Sequence, residues 1–441
     1  MSETARVRAG AVATTCAAVL WTSSAWGQEA SVATASVNSG DTAWVLASSA
    51  LILVMILPGL ALFYSGLVRS KNALGTIMHT FVIVCLVILV WVLFGYSLVF
   101  GPDRGGVIGG LEWAGLSGVG AGPHAKYGPT VPHAAFVLFQ LMFAAFTPAV
   151  IVGAFAERIR FGGLVMFTVL WTIFVYCPLA HWVWGGGWLR RLGALDFAGG
   201  AVVHASAGAA GLACALVLGP RRGYGTDYLA PHSLPLTLLG TGLLWFGWFG
   251  FNGGNALGAN AIAASAIMAT QVGAATAGLV WVLAEWSHRG KPTALGAVTG
   301  AVAGMASVTP GAGYVSPLVA IVFGVAAGLG SYAAIVWKGK IGYDDTLDVV
   351  GIHGVSGVIG LLATGCFASK AINPAGTDGL LFGNAGQLGV QAVTAVSVVL
   401  FSFIATYALL KLTDSLVGLR LSPEDEHVGL DLSQHNERAY S

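Results

Sequence analysis

Charged side chains are scarce in this chain of 441 residues: Asp, Glu, Lys and Arg make up 9% of it, whereas apolar residues make up 56%. Soluble globular domains carry about 25% charged residues, so this composition excludes that class. The formal net charge is +1, and no run of basic residues with interleaved aromatics occurs, which leaves no argument for a nucleic-acid partner. The composition predicts an all-α polytopic membrane protein in a lipid bilayer.

Cysteine is equally rare. The five cysteines are Cys16, Cys85, Cys177, Cys214 and Cys366. None belongs to a C-x-x-C pair, so we expect neither a disulfide framework nor a zinc site. The G-x-x-x-x-G-K-[ST] loop that binds phosphate is absent from the sequence as well. We therefore expect no metal and no cofactor.

The N-terminal stretch has the features of a secretory leader. Arg6 and Arg8 precede an apolar run over residues 9–20, and Ala25 and Gly27 supply small residues for a peptidase. The apolar run is too short to cross the hydrocarbon core of a bilayer. We expect residues 1–27 to be a cleaved signal peptide.

Eleven apolar segments are long enough to span a membrane. They lie at about residues 42–68, 74–100, 133–155, 161–182, 198–219, 233–251, 260–284, 293–309, 314–337, 347–368 and 386–410. Together they predict a membrane domain over residues 28–411, followed by a tail over residues 412–441.

Basic residues are unevenly distributed between the two sets of loops. One set carries Arg69, Lys71, Arg158, Arg160, Arg221, Arg222, Arg289, Lys291, Lys338, Lys340, Lys411 and Arg420. The opposite set carries only Arg104, Lys126, Arg190, Arg191 and Lys370. The positive-inside rule then predicts an external N-terminus and a cytoplasmic C-terminus.

Two histidines lie inside membrane segments in matching surroundings. His204 and His353 are each followed by Gly-Leu in an H-x6-G-L pattern, and Asp196 and Asp348 lie near the starts of the same segments. The segments are the fifth and the tenth, so they run in opposite directions. This pattern predicts an inverted repeat of helices 1–5 and 6–10, with an eleventh helix outside it.

Each imidazole lies roughly 8–12 Å into a hydrocarbon core about 30 Å thick, by helix rise. Desolvation keeps a buried histidine neutral, with one donor and one acceptor nitrogen. A metal is the rival reading, but two histidines without a carboxylate or thiolate at the same depth make a poor zinc site. The pair therefore predicts a conduction path for a small polar solute.

Aromatic residues cluster at the outer ends of several segments. The cluster comprises Phe143, Trp182, Trp184 and the run 245–251. Most such residues form interfacial belts or pack between helices. Ring faces also attract a dehydrated cation, by roughly 0.5–2 kcal/mol each. An aromatic vestibule above a neutral lumen suggests a cation that binds outside and loses a proton before it passes.

Four motifs resemble the ammonium transporter family (Amt, with its Rh relatives), and in particular its bacterial Amt type. They are Ala156-Glu157-Arg158-Ile159-Arg160-Phe161, Asp196 to His204, Gly247-Trp248-Phe249-Gly250-Phe251-Asn252, and Asp344-Asp345 through Asp348 to His353. The stretch 429–435 also resembles the cytoplasmic tail of that family. The motifs span nearly the whole chain after the leader.

The resemblance implies roles for individual residues. Trp184, Phe143 and the residue at position 255 would bind ammonium outside, and Phe143 with Phe251 would form a gate. His204 and His353 would line the pore, with Tyr176 near the gate. Position 255 departs from the family pattern, because this chain has Asn255 where many bacterial members have serine. Asparagine still offers a carbonyl acceptor, but it is bulkier.

The resemblance also implies structural support from Asp196 and Asp348. The position of Asp196 favours an N-cap of the fifth helix, with direct contact to the cation as the alternative. Further implied features are a homotrimer with one pore per subunit and docking of a PII-type signalling protein on the cytoplasmic face.

Three other functions are compatible with parts of the sequence. An ammonium sensor would signal rather than conduct, but sensors usually carry an appended output domain, and only residues 412–441 follow the last segment. An Rh-like ammonia or carbon dioxide channel would not need the aromatic vestibule. A membrane enzyme is disfavoured because no nucleophile, acid and base converge with the histidines.

Overall fold

The structure is a computed structural model and describes residues 36–440. The predicted signal peptide, residues 1–27, lies outside the described residues. The described chain is almost entirely helical, and its short strands form two antiparallel hairpins. One hairpin pairs β1 (Asp103–Arg104) with β2 (Ile108–Gly109), and the other pairs β3 (Pro123–His124) with β4 (Gly128–Pro132).

Ten helices among residues 36–440 are long and apolar enough to cross a membrane. They are α1 (Ser39–Leu67), α2 (Ser70–Phe100), α3 (His133–Phe155), α4 (Phe161–Leu192), α5 (Gly200–Leu218), α6 (Leu234–Ala256), α7 (Ala261–Arg289), α9 (Pro317–Ile341), α10 (Val350–Phe367) and α11 (Ala385–Val417). A shorter apolar helix, α8 (Ala294–Val308), has 15 residues. The ten helices and α8 coincide in order with the eleven predicted segments.

Local capping explains several helix boundaries. Ser233, Asn260, Thr293 and Ser316 each accept a backbone N–H in the first turn of α6, α7, α8 and α9, respectively. These side chains satisfy N–H groups that have no partner within the helix. Gly290 ends α7 in the left-handed conformation, which glycine adopts without steric cost.

The helix α3 lies at the centre of the molecule. In its most apolar stretch 94% of residues are buried within the protein, compared with 33% for both α9 and α11. The peripheral helices expose large apolar side chains such as Leu279, Leu329 and Leu400. In a membrane such side chains face lipid, whereas the side chains of α3 face other helices.

The C-terminal segment folds back onto one face of the helical domain. Helix α11 continues to Val417, beyond the predicted start of the tail at residue 412, and two short helices follow: α12 (Pro423–Val428) and α13 (Leu430–His435). Ile159 and Arg420 form an antiparallel bridge, and Leu421 N–H donates to Arg158 O at 3.0 Å. We call the face that carries this segment the tail face.

Candidate functional site

His204 and His353 both lie on π-helical turns, Gly200–Ala205 at the start of α5 and Val350–Val355 at the start of α10. Such wide turns are rare and occur often at functional sites. The Nδ1 atoms of the two imidazoles are 3.1 Å apart, and their rings are nearly parallel with centroids 5.2 Å apart. Both rings are buried, so the two predicted lumen residues form one hydrogen-bonded pair inside the helical domain.

Asp196 fixes the start of α5. One carboxylate oxygen accepts the N–H groups of Gly199 and Gly200 at 2.9 and 2.6 Å, and the other accepts those of Ala201 and Val202 at 2.9 and 3.1 Å. Burial raises the pKa of Asp196, and these four donors act against that rise. All four bonds have backbone donors, which is the geometry of a helix cap.

At the start of α10 the corresponding carboxylate is Asp345. Its Oδ2 accepts Val350 N–H at 2.7 Å, and it precedes His353 by the same D-x7-H spacing that separates Asp196 from His204. Asp348, which we paired with Asp196 on sequence grounds, instead bonds to Lys338 and adopts a left-handed φ of 62°. The D-x7-H spacing was a signal in the sequence that could have identified Asp345.

Close contact of small residues brings the two histidine helices together. A Cβ atom on Gly208 would overlap the Cα of Gly354, and one on Gly357 would lie 2.7 Å from Ala205 N and 3.1 Å from His204 Cβ. Without side chains at these positions, the backbones of α5 and α10 approach closely enough for the imidazoles to meet.

A column of aromatic rings leads from one face of the molecule to the histidine pair. Trp184 meets Phe143 edge-on with centroids 5.8 Å apart, and Phe143 lies 4.4 Å from Phe251. The next step, from Phe251 to His204, is 6.0 Å. Phe143 and Phe251 are fully buried. The predicted outer-site and gate rings are therefore consecutive neighbours above the pair.

Trp184 is held in place by its own ring nitrogen, which donates to Asp196 O at 2.9 Å. The side-chain amide of Asn255 donates to Phe251 O at 2.7 Å. With its nitrogen engaged in that bond, Asn255 keeps its carbonyl oxygen as an acceptor. Both residues are partly exposed, and we call the Trp184 end of the column its open end.

Tyr176 makes a ring contact outside this column. Its ring packs against Trp91 with centroids 6.5 Å apart, and within residues 36–440 it makes no ring contact with Phe143 or Phe251. Its hydroxyl group has no hydrogen-bond partner among the described residues. The structure does not bring Tyr176 against the gate rings.

Two aromatic residues that we did not assign to the site contact the histidine pair. Trp248 stacks on His204 with centroids 5.5 Å apart and an interplanar angle of 17°, and its ring nitrogen donates to Thr309 at 3.1 Å. Phe146 lies edge-on to His204 at 6.4 Å. Helical spacing was the available signal, because Phe146 follows Phe143 and Phe251 follows Trp248 by three residues.

The tail-face end of the molecule contains a buried network of charges. Arg158 is fully buried and donates to Asp344 O at 2.6 Å and Ala154 O at 3.0 Å. Burial would raise the pKa of Glu157, but the hydrogen bond from Arg69 and the charges of Arg69 and Arg221 hold it below its usual value. Burial also raises the pKa of Asp345 to about 6.

The site and fold together define a class of protein. The described residues form ten long apolar helices that contain a buried pair of imidazoles in contact with aromatic rings. Across residues 36–440 no group of three His, Cys, Asp or Glu side chains is arranged to hold a metal ion. This is a polytopic helical membrane protein with an enclosed polar site near its centre.

Comparison with known proteins identifies the family. The model described as Ammonium Transporter Family matches residues 43–440. An ammonium transporter of Bacillus subtilis (strain 168) is 50% identical over 409 residues, covering 92% of this chain and 99% of that protein. Ammonium transporter Amt1 of Archaeoglobus fulgidus is 47% identical over 405 residues, covering 92% of this chain and 100% of that protein. The chain belongs to the ammonium transporter family.

Solved structures show the same fold. Mep2 of Candida albicans has a TM-score of 0.83 and 37% identity, with 88% of this chain and 87% of that chain covered. A protein described as a sensor Amt protein has a TM-score of 0.82 and 29% identity, with 90% and 98% covered. Named transporters among the relatives indicate a transport protein rather than an enzyme.

Proposed function

We propose that this protein transports ammonium: the cation binds at the aromatic face, loses a proton at the gate, and crosses as ammonia past His204 and His353. The observation that carries this proposal is the continuous column from Trp184 through Phe143 and Phe251 to the buried histidine pair. A membrane location and membership of the ammonium transporter family agree with it.

The open end of the column suits a small monovalent cation. Ring faces of Trp184 and Phe143 attract a cation that has lost part of its water shell. The carbonyl oxygen of Asn255 adds an acceptor for an N–H donor. In this proposal Asp196 acts through structure, because its carboxylate is occupied by four backbone donors and its main-chain oxygen holds Trp184.

The buried histidine pair at the other end of the column suits a neutral solute. In a hydrogen bond between two neutral imidazoles one Nδ1 donates and the other accepts. One Nε2 atom then carries a lone pair and the other a proton, so the pair presents an acceptor and a donor to the lumen. Ammonia can use both. A cation would lie in a low-dielectric, uncharged passage, which costs several kcal/mol.

We propose eleven spans with α8 as the eighth, an inverted repeat of α1–α5 and α6–α10, and a cytoplasmic tail face in a bacterial inner membrane. The matched D-x7-H spacing before His204 and His353 supports the repeat. The basic residues Arg158 and Arg221 lie on the tail face, which supports a cytoplasmic position for that face by the positive-inside rule.

Flux into liposomes tests this function. Protein-containing vesicles are expected to take up ammonium with saturation and to exclude potassium.

Replacing Trp184 with Leu keeps apolar bulk but removes most of the cation–π attraction, so the apparent affinity for ammonium should weaken roughly 2- to 30-fold. Asn255→Ser in the same assay measures how the larger amide side chain changes affinity.

A matched control is Trp337→Leu, because Trp337 is 65% exposed at the end of α9 and far from the column in the chain. That variant should retain the wild-type concentration dependence. Saturable potassium uptake by the wild type would refute the proposal, and an unchanged affinity in Trp184→Leu would assign Trp184 to the interfacial belt alone.

A sensor of ammonium is a second candidate, because the described sensor Amt protein shares this fold over 98% of its length. The fold therefore does not separate the two functions. Wild-type liposomes that bind ammonium but show no flux would favour sensing. An Rh-like channel would pass ammonia without the saturable binding that the Trp184 site predicts.

We further propose a homotrimer that docks a trimeric PII-type protein on the tail face. The supporting observation is that the segment 419–440 is folded against this face and presents exposed charges at Glu424 and Arg438. Native mass spectrometry in mild detergent should give trimers. Removal of residues 420–441 should abolish capture of a PII-type protein, whereas capture by the truncated chain at wild-type level would refute a role for the tail.

A further inference from the structure

Buried polar atoms without partners accumulate where α13 packs on α2. His79 is fully buried and neither of its ring nitrogens has a hydrogen-bond partner among the described residues. Nε2 of His435 and Oδ2 of Asp431 also have no hydrogen-bond partner among the described residues. Native structures leave few such atoms, and each one requires a physical explanation. The transport proposal uses none of them.

The contact is formed by matching faces of two helices. Asp431 and His435 are one turn apart on α13, and Gly75 and His79 are one turn apart on α2. Asp431 Oδ1 accepts Gly75 N–H at 2.8 Å, and the His79 and His435 rings meet edge-on at 6.4 Å. A Cβ atom on Gly75 would lie 2.6 Å from Leu430 Cβ, so α13 packs directly on this turn of α2.

Phe161 packs against both histidine rings. It lies edge-on to His435 at 5.1 Å and stacks on His79 at 6.4 Å. The docked tail therefore places an imidazole against an aromatic ring and a second imidazole, with no bonded partner for its Nε2 atom. A protonated ring there would lack an acceptor for that N–H and would lie beside another histidine.

We propose that His435, packed on Phe161 and His79, is a pH-sensitive latch: the tail docks on α2 while His435 is neutral and is released when His435 is protonated. Burial lowers the pKa of His435 from its ordinary value, while Asp431 and Glu437 act in the opposite direction. The docked state thus binds a proton less well than the free tail, so docking is favoured above pH 6.5 and weakens as pH falls below it.

Other groups at the interface are separable from this one. The groups facing His435 are Asp431 and Glu437 on the tail and His79 on α2. Two contacts lie further along: Lys71 donates to Glu426 O and His427 O, and His232 bonds to the Tyr440 hydroxyl at 3.0 Å. Carboxylates in their ordinary range stay ionised above pH 5.5. Asp345, whose pKa burial raises to about 6, titrates in the same window, so variants of His435 are needed to assign a response between pH 7.5 and 5.5 to that histidine.

Hydrogen–deuterium exchange of the full-length protein in detergent tests the latch, with rates corrected for the intrinsic effect of pH. Protection of the segment 429–437 in the wild type should fall by up to about tenfold between pH 7.5 and 5.5, as one proton linked to docking requires. His435→Phe keeps the ring on Phe161 but cannot be protonated, so its protection should be independent of pH in this window. His435→Gln, which also cannot be protonated, should be equally flat even if it docks more weakly.

His427→Phe is the matched control, because His427 is an exposed histidine on the same tail. It should keep the wild-type response, and so should His232→Asn. A wild-type profile without pH dependence would overturn the latch, and so would a pH response that persists in both His435 variants. The readout is independent of transport, so a failure here leaves the proposed transport function in place, and a failed flux assay leaves the latch testable.

Discussion

Replacing His353 with Asp is expected to convert a passage that rejects potassium into one that conducts it. Potassium resembles ammonium in size and charge, so the aromatic rings attract both, but potassium cannot lose a proton. The wild-type lumen offers only the neutral pair of His204 and His353, whose Nδ1 atoms are 3.1 Å apart. A carboxylate at this depth stabilises a cation where none was tolerated.

We expect the ammonium-to-potassium selectivity of His353→Asp to fall at least about tenfold, which corresponds to 1.4 kcal/mol. His204→Asp should behave in the same way. Electrophysiology or liposome flux with both ions measures it. His353→Gln is the matched control, because glutamine is polar and neutral and should keep potassium out. Wild-type selectivity and rate in both aspartate variants would show that the pair is not the filter.

The order of the helices could be predicted from the sequence because each membrane span is a local property. The eleven predicted segments coincide in order with the ten helices that are long and apolar enough to cross a membrane and with the shorter α8, because an apolar run is visible in the local sequence. The hydrophobic pattern does not determine where each helix ends. Helix α11 continues to Val417 because Leu412 and Leu416 extend its apolar surface beyond the residue where we placed the tail.

The contact between the two histidines could also be predicted, because the matching H-x6-G-L pattern gives them equivalent positions in two membrane segments. The aromatic neighbours of the pair could not be predicted from the sequence. Trp248 reaches His204 from α6, which packs on α1, α7 and α8, and its indole is anchored by Thr309, the residue after α8. Contacts between segments so distant in the chain depend on tertiary packing, which one sequence without an alignment does not specify.

Glycine illustrates the same limit. The chain contains 63 glycines, and a sequence alone marks them all as small packing residues. The structure distinguishes Gly208, where a Cβ atom would overlap the backbone of Gly354, from Gly389, where a Cβ atom would meet nothing within 4 Å. Only the first holds α5 and α10 at the separation that the histidine pair needs.

Replacing Asp196 with Ala is expected to have the largest effect on stability of any single change at the site. The carboxylate accepts four backbone N–H groups at the start of α5, and alanine leaves all four without a partner in a buried position. Each buried donor without a partner costs about 1–3 kcal/mol. The π-turn that carries His204 begins at these residues, so transport should be lost together with stability.

Asp196→Asn separates the cap from simple side-chain size. Its single carbonyl oxygen can serve two of the four donors, while its NH2 group would face the other two, so the loss should approach that of alanine. The thermal midpoint of detergent-solubilised protein and liposome flux measure both effects, with Asp227→Asn in an exposed loop as the control. Because a cap acts through the fold, retention of the wild-type midpoint with loss of flux in Asp196→Asn would instead indicate direct contact with the cation.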